Sequence, residues 1–330
     1  MLRAVGAEEQ GRKRAAMRAV AVKEFRASPD VVEVERPVPG PGDVLVRIEA
    51  AGLNPVDWQI ADGMLDGVMP HTFPLVMGVD YAGVVAETGS GVDRFAVGDR
   101  VFGQAMRPPV GAGTYAEFVA VPQDSTIAKI PDGVSSEVAA ALPTSGMTAA
   151  QILETGAAVR AGESLLVIGA AGGVGSYLTQ LAAAYDDRVL AVVRGDAARR
   201  MGELGAAVTI DTTRRSLEAA VRDEYPNGVD ALVDLASGPE DFTSNTRLVH
   251  DGGVAPTTRQ VGDGTKSPSG VEVVDFELAA SARLLDSLAA AAAKGTLAVP
   301  VEARISLEDT PEAVAKSRSG GSRGKTVIVP

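Results

Sequence analysis

The stretch Glu163–Gln180, ESLLVIGAAGGVGSYLTQ, constrains the fold of this chain more than any other. Leu165-Leu166-Val167-Ile168 has the length and content of a strand buried on both faces. The glycines Gly169, Gly172, Gly173 and Gly175 follow, and Tyr177–Ala182 then reads as a helix. Ala170-x-Gly172-x-x-Gly175 is the phosphate-binding fingerprint with alanine in its first place, set in the strand–turn–helix context it requires. Residues without side chains let a pyrophosphate approach the backbone, and the helix N-terminus offers unpaired N–H donors and a positive dipole end. Gly172 and Gly175 are therefore candidate cofactor contacts. The alternative reading is a tight turn that holds no ligand.

A second apolar strand, Arg188–Arg194, lies about twenty residues on, where a dinucleotide fold selects between NAD and NADP. An acidic side chain at that strand's end suits free ribose hydroxyls, whereas a cation suits a 2′-phosphate. Here Arg194 stands at the tip, with Arg199 and Arg200 just beyond, and Asp196 is placed to cap the helix Ala197–Leu204. The pattern predicts NADPH in preference to NADH, although Arg199 and Arg200 read equally well as a solvated helix face.

The rest of the chain supplies a second unit. From Met17 to about Val121, short strands are punctuated by Pro and Gly, which predicts a compact barrel-like domain. From about Ser135 helices appear, and strands then alternate with helices to about Val274, as in a doubly wound sheet. Leu278–Lys294 reads as an alanine-rich packing helix and Gly324–Pro330 as a last strand returning to the first unit. The expected division is residues 17–125 completed by 276–330, flanking 126–275. Residues 1–16 read as a disordered tail or an over-extended start.

Composition excludes several chemistries. With no cysteine and only His71 and His250 in 330 residues, thiolate catalysis and disulfides are excluded, and a zinc site is not expected. A net charge of −12 argues against nucleic acid as a partner, and no apolar run reaches membrane-spanning length. The lack of cysteine fits a cytoplasmic protein. His71 reads as a surface-loop residue or a group at a cleft mouth, His250 as a surface residue, and Asp234 as a carboxylate pinning a loop.

Beyond the glycine motif, the segments AAGLNPVDWQIADG (50–63), FPLVMGVDYAGVV (73–85), VGDRVFG (97–103), GTYAEFVAVP (113–122), ALPTSGMTAA (141–150), LGA (204–206) and RGKTVIVP (323–330) resemble, in order, the medium-chain dehydrogenase/reductase superfamily. Within it the chain is most similar to the zinc-free quinone oxidoreductase (zeta-crystallin-like) branch. The resemblance implies an α/β protein: a GroES-like β-barrel catalytic domain and a Rossmann domain, with the active site between them. Zinc alcohol dehydrogenases of this superfamily carry Cys where this chain has Asn54, and His-Glu where it has Val79-Asp80.

The resemblance also assigns residues. Asn54, in Asn54-Pro55-Val56-Asp57, becomes a polar contact to substrate or nicotinamide. Asp57 either orients the loop or accepts its backbone N–H groups. Many quinone reductases place a tyrosine where this chain has Gln59, which with the adjacent Trp58 completes the candidate catalytic residues. Thr148 resembles the residue facing the nicotinamide ribose, and Ala171, Gly172, Gly173 and Val174 resemble those that surround the pyrophosphate. Ala197 replaces a 2′-phosphate lysine, passing that role to Arg194 or Arg199, and Arg318 resembles an arginine that closes over the same phosphate. The implied activity is hydride transfer from NADPH to a quinone or α,β-unsaturated carbonyl without zinc, by a homodimer, with the proton coming from solvent. The alternatives are an enoyl-thioester reductase and a non-catalytic NADPH-binding protein.

Overall fold

The structure is a computed structural model that describes residues 15–156, 162–268, 270–320 and 324–330. Of the expected N-terminal tail, residues 1–14 lie outside the described residues, as does Arg323 of the last quoted segment.

The first unit comprises β1 (Ala16–Val22), β2 (Asp30–Glu35), β3 (Asp43–Gly52), the short helix α1 (Pro55–Ala61), β4 (Leu75–Val76), β5 (Asp80–Thr88), β6 (Arg100–Gln104), β7 (Phe118–Pro122) and β8 (Ile127–Lys129). Two helices, α2 (Ser136–Ala141) and α3 (Pro143–Gln151), then lead into the second unit. Its elements are β9 (Ser164–Ile168), α4 (Gly173–Ala184), β10 (Arg188–Val193), α5 (Ala197–Glu203), β11 (Val208–Asp211), α6 (Leu217–Glu224), β12 (Val229–Asp234), α7 (Pro239–Asn245), β13 (Val249–Thr257) and β14 (Glu272–Asp275). The chain closes with α8 (Ala282–Ala293), β15 (Val301–Ser306), α9 (Thr310–Arg318) and β16 (Lys325–Val329).

The second unit is a six-stranded parallel sheet in the order β11-β10-β9-β12-β13-β14. Its central strands are apolar throughout because both faces are covered. Leu165 and Val167 of β9 enter one core cluster, Leu166 and Ile168 the other. The sheet winds outward in both directions from β9, so the glycine-rich turn after β9 sits at the topological switch point, where such sheets bind ligands.

The other large sheet runs β15-β16-β3-β5-β6-β8, with β7 also paired to β3. Its C-terminal strands reach it because β16 pairs antiparallel with β3, Val327 opposite Gly52 and Ile328 opposite Ala51. The two units share one continuous core. Ala50, Ala82 and Phe102 of the barrel pack in the same cluster as Leu142 and Met147 of the linking helices and Leu165 of β9. Leu284, Leu285 and Leu288 join that cluster, so α8 packs where its apolar side was expected to. Among the described residues, no helix is long and apolar enough to cross a membrane.

Candidate active site

The polar residues of the cleft meet where four strand ends converge. In the ladders, Asp80 at the start of β5 lies opposite Gly52 at the end of β3 and Gln104 at the end of β6. β16 starts beside them at Lys325, and α3 points its N-terminus at the same place. Asn54, Asp57, Asp80, Ser145 and Lys325 are all buried there.

Asn54 is the hub. Its Nδ2 donates to Asp80 Oδ2 (2.8 Å) and Gly52 O (3.3 Å), while its Oδ1 accepts from Lys325 Nζ (2.6 Å) and Ser145 Oγ (3.3 Å). The chemistry of the partners fixes the amide's orientation, because a carboxylate and a carbonyl need donors and an ammonium only donates. These four bonds exhaust the hydrogen-bonding capacity of the amide, and Asn54 is 1% exposed. The side-chain amide of Asn54, expected as a contact to substrate or nicotinamide, is bonded within the protein in this structure.

Asp80 accepts from the Thr144 amide (3.2 and 3.0 Å to its two oxygens) and from Thr144 Oγ1 (2.6 Å), whose own lone pair receives Gln104 Nε2 (2.6 Å). Lys325 Nζ further donates to Leu53 O (3.2 Å) and Ser145 Oγ (3.3 Å). Burial raises Asp80 above the usual carboxylate range, an effect opposed by Lys325, Thr144 and Asn54. Burial likewise lowers Lys325, opposed by Asp80 and Asp57.

Asp57 forms a capping box with Asn54 at the start of α1. Its Oδ2 accepts both the Asn54 amide (2.6 Å) and the Tyr115 hydroxyl (2.5 Å), so it does accept backbone N–H as one reading expected. Its Oδ1 is buried without a hydrogen-bond partner. Burial, against the pull of the Tyr115 hydroxyl, pushes its carboxyl up to about 7. Burial and the adjoining Asp57 hold Tyr115 well above the ordinary phenol range.

The other candidates on α1 diverge. Successive helical residues turn by about 100°, so Trp58 and Gln59 leave the face that Asp57 occupies. Trp58 Nε1 donates to Ser317 Oγ (3.3 Å) on α9, and Arg318 lies over its ring at 5.8 Å while bonding Asp62 (2.8 Å). Arg318 is thus held by α1. Gln59 is half-buried. Thr148 is buried one turn beyond Thr144 on α3.

The glycine turn fits a dinucleotide. A Cβ on Gly175 would lie 2.4 Å from Gly169 O, so α4 rests directly on the turn. A Cβ on Gly173 would meet Ser145 Oγ at 2.9 Å and Lys325 Cδ at 3.0 Å, so the turn also abuts the buried network. No side chain caps α4, which leaves the N–H donors of its first turn available to an anion. Arg194 is exposed at the end of β10 and Arg199 pairs with Glu203 on its own helix (3.0 Å). Arg200 instead turns inward, bonding Ala171 O (2.9 Å) and pairing with Glu302. Asp196 occupies the N-cap position of α5 without a side-chain capping bond.

Asp234 pins its loop as expected, accepting the amides of Ala236 (3.1 Å) and Ser237 (2.8 Å). His250 bonds Asp230 (3.0 Å), and His71 packs edge-on against Phe25 (5.0 Å).

The structure thus sets a glycine-rich turn at the switch point of a parallel sheet against a buried polar network of the barrel unit. Comparison with known proteins shows the family. The family model described as "Alcohol dehydrogenase GroES-like domain" matches residues 40–132, and that described as "Zinc-binding dehydrogenase" matches residues 204–328. A protein of Arabidopsis thaliana, "Chloroplast envelope quinone oxidoreductase homolog", is 32% identical over 91% of this chain and 93% of its own. The quinone oxidoreductase of Pseudomonas syringae pv. Tomato DC3000 superposes with a TM-score of 0.82 at 26% identity, over 95% of this chain and 100% of that one. Mycobacterial Rv1454c complexed with NADPH does so with a TM-score of 0.80 at 29% identity, again over 95% and 100%. This chain belongs to the medium-chain dehydrogenase/reductase superfamily, in its quinone oxidoreductase branch. It is accordingly read as an NAD(P)H-dependent oxidoreductase.

Proposed function

We propose that this protein is an NADPH-dependent reductase that delivers a hydride to a quinone or an α,β-unsaturated carbonyl without zinc. The observation that carries the reading is the abutment of the uncapped glycine turn on the buried Lys325–Asn54–Asp80 network. A cofactor whose pyrophosphate lies on that turn would lie against that network. When bound, a reduced nicotinamide would supply the hydride. Ala171, Gly172, Gly173, Val174 and Gly175 would hold its pyrophosphate, and Thr148 would lie beside its ribose. The protein's part is to orient the reactants and exclude water.

The preference for NADPH rests on the three arginines near the end of β10 and the lack of an acidic residue at its tip. Arg194 is exposed and available, and Arg200 already lies on the glycine turn. Independence from zinc rests on the donor set, since the network holds carboxylates, an amide, hydroxyls and an ammonium but no imidazole or thiolate. An acceptor that delocalises the incoming charge needs no Lewis acid of its own. A homodimer remains the expected assembly, to be checked by light scattering.

The test is acceptor-dependent oxidation of NADPH and of NADH by the purified protein, with a para-quinone, a matched enone and an enoyl thioester. Turnover of the quinone or enone, faster with NADPH, is the expected result. Turnover of the thioester alone would move the protein to the enoyl reductases. NADPH binding with no turnover on any acceptor would favour the non-catalytic alternative.

A further inference from the structure

The rim of the glycine turn holds an ion pair that joins the two units. Arg200, on α5, donates from Nη2 to Ala171 O (2.9 Å) in the turn and pairs through Nη1 with the carboxylate of Glu302. Glu302 belongs to β15, the edge strand of the barrel sheet. Its stem crosses Gly324, where a Cβ would lie 2.3 Å from Glu302 Cγ and where φ is +58°. The Gly324 N–H in turn donates to Ala171 O (3.0 Å), and Gly172 and Gly324 form a β-bridge. Ala171 O thus takes one donor from each unit, Arg200 and Gly324, and Glu302 lies against both of them.

The place of this pair bears on cofactor choice. In a sheet of this topology the pyrophosphate lies on the turn after the first strand, and the adenosine ribose lies at the end of the next. Those positions are the turn 169–175 and the end of β10, from which the chain passes directly into α5. An arginine on α5 that reaches back to Ala171 O spans the gap between them. Arg194, exposed at the end of β10, stands on its other side. NADPH differs from NADH only by a 2′-phosphate on that ribose, a group of nearly two negative charges that guanidinium forks bind well.

We propose that Glu302 is a built-in competitor for the 2′-phosphate of NADPH: the phosphate displaces its carboxylate from Arg200, and Glu302 thereby limits the preference for NADPH over NADH. This rests on the NADPH reading above. Arg200 exchanges one anion for another, while the Gly324 N–H keeps its bond to Ala171 O. NADH brings no anion to this position and leaves the pair closed. The Arg200 and Glu302 side chains are 25% and 40% exposed, and a pair so open to water is weak enough for a phosphate to break. A Glu302 that only braced Arg200 on the turn would have the opposite effect, since its loss would loosen the turn and weaken both cofactors.

The experiment uses the full chain as wild type, Glu302→Gln, Arg200→Gln and the double variant. Dissociation constants for NADPH and NADH are measured by fluorescence titration at low ionic strength. Adenosine 2′,5′-bisphosphate and 5′-AMP serve as probes that differ only in the 2′-phosphate. Glu302→Gln should bind NADPH and the bisphosphate roughly two- to fivefold more tightly, with NADH and 5′-AMP unchanged. In the Arg200→Gln background that gain should vanish, because no guanidinium is left to release. NADPH affinity that is unchanged or lowered in Glu302→Gln, or an equal shift for both cofactors, overturns the exchange. A gain that persists in full without Arg200 also overturns it, since bare repulsion would then explain the effect. The expected binding pattern without turnover on any acceptor would remove the reductase reading and leave the exchange standing. Equal affinity for NADPH and NADH in all four proteins would overturn the exchange and the NADPH preference together.

Discussion

Replacing Lys325 by methionine isolates the charge at the centre of the network. Methionine keeps an unbranched stem against Gly173 but removes the ammonium and its bonds to Asn54 Oδ1, Leu53 O and Ser145 Oγ, leaving Asn54 Oδ1 only the Ser145 hydroxyl. It also leaves the fully buried Asp80 carboxylate with no cation to oppose its desolvation. Removing one member of a buried charge pair costs about 3–5 kcal/mol, mostly as the penalty of stranding the other charge. The three lost hydrogen bonds fall within that figure and are not added to it. The sign with pH follows from Asp80, whose folded pKa is already raised and would rise further without Lys325. In the variant the native state holds a proton on Asp80 that the unfolded chain releases, so the variant loses stability as pH rises. Urea denaturation of wild type and Lys325→Met should show a gap of about 3 kcal/mol or more near pH 8. It should be smaller near pH 5 than near pH 8, because the raised Asp80 carboxyl takes up its proton as pH falls. A gap under about 1 kcal/mol at both pH values would refute the assignment of Lys325 as the counter-charge of Asp80.

Three further outcomes are expected. Gly175→Val forces a side chain against Gly169 O and the backbone of Ala170, and should cost several kcal/mol, on the order of 3, in thermal or chemical denaturation. Asp57 in the folded state titrates near 7 rather than 3.8, so it contributes stability at low pH that is lost as pH rises between about 4 and 7. Asp57→Asn should flatten that slope by up to about 1.4 kcal/mol per pH unit, measured as denaturation free energy against pH. Arg200→Gln, measured by titrating each cofactor against intrinsic fluorescence, should weaken NADPH more than NADH, and equal weakening would point to a purely structural bond to Ala171.

The parallel sheet was legible because its signal is local: apolar strands and a glycine turn at fixed spacing leave little choice. The return of β16 to the first unit also matched expectation, whereas the order of the strands in the sheet was not read from the sequence. The site was legible only in part. Asn54 and Asp57 were named from the sequence, but their partners come from positions far along the chain, and no local pattern ties Asn54 to Lys325. Lys325 nevertheless carried a sign: it shares the strand face of Val327, which is fully buried, so a cation stood in an apolar register. Asp80 carried the same sign as a carboxylate inside the apolar run from Leu75 to Val85. Tyr115, Thr144 and Ser145 gave none, since hydroxyl residues near helix starts and strand ends are common. Among the arginines, sequence distance alone did not separate Arg199, which faces its own helix, from Arg200, which faces the glycine turn.

The most direct measurement is a single turnover of the purified protein with NADPH deuterated at C4, mixed with a para-quinone or a matched enone. The account predicts oxidation of the cofactor only when acceptor is present, slowed by the label, and faster than the same reaction with NADH. Tight NADPH binding without acceptor-dependent oxidation, or oxidation indifferent to the label at every pH, would contradict hydride delivery as the work of this site.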